Sequence, residues 1–151
     1  MLDSIDRNIL RTLQKEGRIT NQELAIKAGL SPSACFDRLR KLREQGYVSD
    51  FVALLDPTKL DRSLLVFIEV ILDRTTNNVF EQFADAVRGM PEILECHMVA
   101  GGFDYLLKTR VKDMAAYRRF LGDSLTHMKG VRETRTYPVL EEVKYTTSLP
   151  I

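Results

Sequence analysis

The sequence predicts an α+β protein: an N-terminal three-helix helix-turn-helix domain followed by a C-terminal ferredoxin-like βαββαβ sandwich. Three observations lead there. Up to Gly46, apolar side chains recur at helical spacing, with cap and stop residues bracketing short helices joined by a glycine turn. From Leu64 onward, strand-period and helix-period segments follow in the order β-α-β, hairpin, β-α-β. Between them, Asp56-Pro57 and Leu60-Asp61-Arg62 read as a connector, which divides the chain into residues 1–62, helices plus a hinge strand, and residues 63–151, the sandwich.

The first helix follows a cap at Asp3 or Ser4, repeats Ile5, Ile9, Leu10 and Leu13, and stops at Gly17. The second opens with Thr20-Asn21-Gln22-Glu23, a capping box in which hydroxyl and carboxylate satisfy free helix amides. Leu24, Ala25 and Ala28 form its apolar side, and Gly29 ends it. Ser31-Pro32, a cap followed by proline at the first helical position, starts the third, which runs to Gln45 with Gly46 as its stop. Tyr47, Val48, Phe51, Val52, Leu54 and Leu55 suggest short strands. Leu64–Leu72 is a strand, and Phe80, Phe83, Ala84 and Val87 mark a helix. Ile93–Ala100 and Tyr105–Val111 are strands around Gly101-Gly102. Asp113 opens a helix lined by Met114, Tyr117, Leu121 and Leu125, and Val131–Val143 is the last strand.

Composition narrows the function. The 151 residues carry 22 basic and 21 acidic side chains, a formal charge of +1, so no histone-like positive coat exists and any affinity for phosphates must come from a local patch. With 44% hydrophobic and 28% charged residues, the chain is globular. Two cysteines, Cys35 and Cys96, are too few for a disulfide framework and fit a reducing cytosol. No apolar run approaches the ~20 residues of a membrane span. Asp3 and Asp6 stand where a signal peptide needs basic residues, so the expected location is the cytoplasm.

Gly29-Leu30 joins the second and third helices as in a helix-turn-helix. On the third, Cys35, Leu39 and Leu42 stack on one face, while Ser33, Asp37, Arg40, Lys41 and Glu44 gather opposite, with Arg38 and Arg43 on the flanks. Such a helix suits the major groove of double-stranded DNA, its early residues near base edges and its later cations near phosphates. The DNA-binding set is therefore Ser31, Ser33, Asp37, Arg38, Arg40, Lys41 and Arg43. A solvated face of a small helix bundle, or a protein-binding module, is the other reading of the same charges.

In the strand Leu64–Leu72, Leu64, Val66, Ile68, Val70 and Leu72 face one way, and Leu65, Phe67, Glu69 and Ile71 the other. A ferredoxin-like sheet has helices on one face only, so the second apolar face is expected to pack on a second copy of the chain, a more continuous core with the N-terminal domain on that face being the other reading. The turn Gly101-Gly102-Phe103-Asp104-Tyr105 offers positive-φ glycines, open backbone amides for a carboxylate, and an acid for an ammonium group; a plain hairpin is the simpler reading. Catalysis is not expected: Cys96 and His97 are adjacent in a strand and point to opposite faces, and neither a phosphate loop nor a zinc spacing occurs.

Three stretches carry a resemblance. Leu2-Asp3-x-Ile5-Asp6-x-x-Ile9-Leu10, Gly29-Leu30-Ser31-Pro32-Ser33-x-Cys35 with Arg38-Leu39-x-Lys41-Leu42, and Gly101-x-Phe103-Asp104-Tyr105 together resemble the leucine-responsive regulatory protein/AsnC family of bacterial and archaeal transcription regulators, across nearly the whole chain. Leu64-Leu65-Val66-Phe67, Glu95-Cys96-His97 and residues 104–110 look closest to the leucine-responsive branch. The resemblance implies a recognition helix beginning at Ser31-Pro32 and an effector and oligomerisation domain that dimerises through its sheets. It also implies octamers or other rings of dimers, association with the nucleoid, and an amino acid bound between subunits. The implied pocket centres on Gly101, Gly102, Phe103, Asp104 and Tyr105, with Met98, Met114, Tyr137 and Val139 lining or bordering it. Met98, Met114 and Val139 offer no partner for a charged side chain, so the expected effector is a small apolar amino acid of the leucine or methionine type, with no other cofactor and no metal. Many members carry a polar residue where this chain has Gly102, which removes one side-chain contact. Pro138 is expected on an edge strand, where a missing amide is tolerated. An architectural DNA-binding protein without metabolite response is the alternative.

Overall fold

The computed structural model describes residues 2–75 and 77–151. Two compact units emerge: residues up to Leu54 together with Lys144–Ile151, and Leu55–Val143. The division expected at residue 62 differs from this grouping at both ends, because the 55–62 connector packs with the sheet and the last eight residues pack with the helices.

The first unit holds α1 (Ser4–Lys15), α2 (Asn21–Ala28) and α3 (Pro32–Glu44). Each begins where the sequence supplies a side-chain oxygen to the first free amides. Asp3 accepts from the Asp6 amide at 2.7 Å, Thr20 and Glu23 form the reciprocal box, and Ser31 accepts from the Ala34 amide ahead of Pro32. Gly29 ends α2 at φ 68°, a conformation glycine adopts without steric cost. Ile9, Leu10, Leu24, Ala25, Cys35 and Leu42 form the core. Ile151 packs against it, the Gln14 amide donates to the Leu149 carbonyl at 3.1 Å, and the Leu149 amide donates back to Gln14 Oε1. Residues 47–56 contain no strand. Their alternation suits an extended chain, but a strand needs a ladder partner, and none of the sheet's ladders includes this segment.

The second unit is a four-stranded antiparallel sheet, β1 (Leu64–Leu72), β2 (Ile93–Met98), β3 (Tyr105–Val111) and β4 (Val131–Pro138), in the order β2-β3-β1-β4. Its helices are α4 (Val79–Arg88) and α5 (Met114–Phe120), the latter continued by a π turn over Leu121–Leu125. This is the ferredoxin-like order, and Pro138 lies on an edge strand. Val66, Ile68, Val70 and Leu72 pack under Phe83, Val87, Tyr117 and Phe120. Strand β4 stops five residues before Val143 because β1 runs out: the last pair is Val66 with Pro138, and the Val139 amide then reaches the Leu65 carbonyl at 2.9 Å. Likewise β2 ends at Met98, opposite the first residue of β3.

The sheet's other face is mixed rather than uniformly apolar. Leu65 is buried and Phe67, Glu69 and Ile71 are half-buried. Around them run ion pairs of Lys108 with Glu95 and of Arg110 with Glu142, both 2.8 Å. Gly130 is a position only glycine fits: φ is 89°, and a β-carbon there would collide with the Val79 side chain. Among the described residues, no helix is long and apolar enough to cross a membrane.

Candidate functional sites: the third helix and the Gly101–Asp104 turn

Helix α3 divides its polar residues between two tasks. Ser33, Asp37, Arg40, Lys41, Arg43 and Glu44 are exposed. Arg40 lies 3.1 Å from Asp37 and 3.8 Å from Glu44, so its guanidinium is steered by two carboxylates on its own helix. Arg43 stands 5.9 Å from the centre of the Phe51 ring. Ser31 Oγ sits 3.3 Å from Ser33 Oγ while capping the helix.

Arg38 departs from the expected set. Its guanidinium turns away from the outward face and donates to Asp3 at 2.6 Å and Asp6 at 2.8 Å, tying α3 to the start of α1. The Asp6 amide and the Arg38 guanidinium hold the Asp3 carboxyl below its usual range, and Asp3 and Asp6 push Arg38 up. Its heptad-like neighbours in the basic run look alike in sequence; only the tertiary placement of Asp3 and Asp6 singles it out. Sequence reasoning also passed over Phe36, whose ring is 56% exposed on the same helix one turn before Arg40.

The second site is the turn between β2 and β3. The Val99 amide donates to the Asp104 carbonyl and the Asp104 amide to the Val70 carbonyl, both at 3.0 Å. The Asp104 carboxylate is 5% exposed, with one oxygen accepting from the Leu72 amide and the other from Arg74 Nη2, each at 2.8 Å. Burial alone raises its pKa, but the Leu72 amide and Arg74 outweigh that and leave the carboxyl below its ordinary value. Asp104 therefore anchors Arg74 instead of standing open for an ammonium group, a correction to its expected role. A recess of about 230 Å³ beside it is lined by Arg74, Arg132, Gly101, Gly102, Phe103 and Asp104. Two guanidinium groups above exposed glycine backbone suit a carboxylate.

The glycines do not act as expected. Positive φ among them occurs at Gly29, Gly46 and Gly130 and not at Gly101 or Gly102, where an added β-carbon would meet nothing within 4 Å. Their effect is to leave room, not to permit a strained bend. Tyr105 is also reassigned, because its ring lies in the core 4.8 Å from Phe83.

A single chain does not gather the remaining residues. Met98 lies at the turn end of the sheet, 62% exposed. Met114 opens α5, beyond the far end of β3; Tyr137 pairs with Phe67, level with Lys108 in the middle of β3, and Val139 lies beside Leu65, toward that far end. Seven residues of β3 separate the two ends by about 20 Å. Cys35 and Cys96 serve as packing groups, and burial pushes both thiols up.

Residues 65–149 match the Lrp/AsnC ligand binding domain, and residues 2–49 a winged helix-turn-helix DNA-binding domain. The chain is 57% identical over 150 residues to the leucine-responsive regulatory proteins of Klebsiella pneumoniae and Escherichia coli K12, spanning 99% of this chain and 92% of each relative. A transcriptional regulator from Neisseria meningitidis, solved as a complex with L-methionine, superposes with a TM-score of 0.96 at 41% identity, covering 99% of this chain and 97% of that one. The feast or famine regulatory protein of M. tuberculosis complexed with L-methionine gives 0.89 at 31% identity, covering 99% of both chains.

Proposed function

The chain belongs to the Lrp/AsnC family of transcriptional regulators, and on that premise we propose that its sandwich senses an apolar amino acid of the leucine or methionine type at a site completed by a second subunit. The helix-turn-helix and amino-acid-binding domains make it an Lrp-type regulator, and its relatives are regulators rather than enzymes. The observation that carries the proposal is the separation of the candidate contacts: the Gly101–Asp104 turn with Met98 at one end of the sheet, Met114 and Val139 toward the other, and Tyr137 midway between them. Apposed copies bring one end against the other.

In this reading, the amino acid's carboxylate sits against the open backbone of Gly101 and Gly102 with Arg74, which Asp104 fixes in place. Phe103 and the methionines receive the apolar side chain. The half-buried face of β1 pairs one copy with its twin, and dimers assemble into a ring or octamer. Helix α3 enters the DNA major groove, with Ser33, Asp37 and Arg40 toward base edges and Lys41 and Arg43 toward phosphates; Ser31 holds the helix start. The protein works in the cytoplasm on the nucleoid. An effector alters DNA binding only through different affinities for different assemblies, and a ligand shared between subunits has that property.

Calorimetric titration with the twenty amino acids, with light scattering on the same samples, tests the proposal. Heat of binding for leucine or methionine with a change in scattered mass supports it. Binding of none, with operator affinity intact, would leave an architectural DNA-binding protein.

A further inference from the structure

Helix α3, the helix assigned to DNA, carries a large apolar side chain in water. Phe36 is 56% exposed, although α3 buries Cys35 and Leu42 on its other side. It lies four residues before Arg40 and three after Ser33, so the three side chains share one flank. A shallow hollow of about 270 Å³ beside Phe36 is walled by the ring, Leu39 and the side chains of Arg40, Arg43 and Glu44. Phe36 is the fifth residue of a helix that begins at Pro32, within the first two turns that reach base edges when such a helix enters the major groove.

The chemistry on that surface is unusual for a phosphate-binding face. Arg40 is flanked by the carboxylates of Asp37 and Glu44, which weakens its pull on a phosphate and favours directed contacts. In the major groove, the one apolar feature a base pair presents is the C5-methyl group of thymine, and phenylalanine is among the side chains that contact it. We propose that Phe36 is a specificity-determining residue that selects thymine through its C5-methyl group at one position of each half-site, with Arg40 directed by Asp37 to a neighbouring base. The inference rests on the DNA-binding role of α3 and adds to it a named base and a named atom.

The test uses the full chain. Duplexes are enriched from a randomised pool with the wild-type protein, and each thymine in the enriched site is replaced by uracil, which removes only the methyl group. One uracil position per half-site is expected to weaken binding about three- to fivefold, the effect of one buried methyl group. In Phe36→Ala the same replacement is expected to change nothing, while Phe36→Leu, which keeps an apolar contact, retains part of the sensitivity. Circular dichroism confirms that both variants fold. Equal uracil penalties in the wild type and Phe36→Ala, or no sensitive thymine, would overturn the proposal while leaving DNA binding in place. Failure of the wild type to enrich any sequence would overturn the reading of α3 itself, and this inference with it.

Discussion

Asp104 holds Arg74 at 2.8 Å across the base of the β2–β3 turn, while its other oxygen accepts the Leu72 amide at the same distance. One buried carboxylate thus fixes the backbone of β1 and aims the guanidinium that borders the recess. Asp104→Ala is expected to abolish the amino-acid response and to lower stability by about 1–3 kcal/mol, because the Leu72 amide loses its partner in the interior. Calorimetry and thermal melting measure the two effects separately.

The same carboxylate gives a pH dependence of definite sign. Its folded pKa lies below the ordinary 3.8, so its stabilisation is complete above that value and is lost as the pH falls through the lowered one. Asp104→Asn is expected to flatten this acid limb of the stability curve. An unchanged slope in acid titrations followed by circular dichroism would refute the assignment.

Arg38 and Lys41 are three residues apart and are expected to fail differently. Arg38→Ala removes the clamp on Asp3 and Asp6 and lowers the melting temperature slightly, with the salt dependence of DNA binding unchanged. Lys41→Ala leaves the melt alone and lowers the slope of log affinity against log salt by about 1. Arg40→Ala weakens binding to the selected site more than to random duplex.

Gly130→Ala is expected to destabilise the sandwich by about 2 kcal/mol or more, from its left-handed backbone and the collision with Val79. Gly101→Ala, with open space around it, leaves the melting temperature unchanged and acts only on effector affinity. Comparing the two by thermal melting and calorimetry separates a structural glycine from one that keeps a site open.

What the chain encodes locally was legible in its sequence. Asp3, Thr20 and Ser31 sit where free helix amides need acceptors, and the alternation in Leu64–Leu72 and Tyr105–Val111 matches the observed strands residue for residue. Features decided by distant partners were not. Arg38 is distinguished from the adjacent basic residues only by Asp3 and Asp6, thirty-five and thirty-two positions away. The apolar residues between Tyr47 and Leu55 have strand periodicity without a ladder, and the pairing of Leu149 with Gln14 spans 135 positions. The turn around Asp104 was found as a candidate site, but its partner Arg74 carries no local signal, and Gly101 invited a steric reading that its φ does not support.

Phe67 lies on the face of β1 away from the helices, paired with Lys108 on one side and Tyr137 on the other. Phe67→Arg places a cation beside Lys108 on the surface proposed to meet its twin. The variant is expected to remain folded and to dissociate to monomers in light scattering.

Sedimentation velocity of the wild-type chain at micromolar concentration, with and without L-methionine, tests the central claim most directly. Assemblies of two or more chains, redistributed by the amino acid, are the predicted result. A monomer that binds L-methionine with no change in mass would contradict a site shared between subunits.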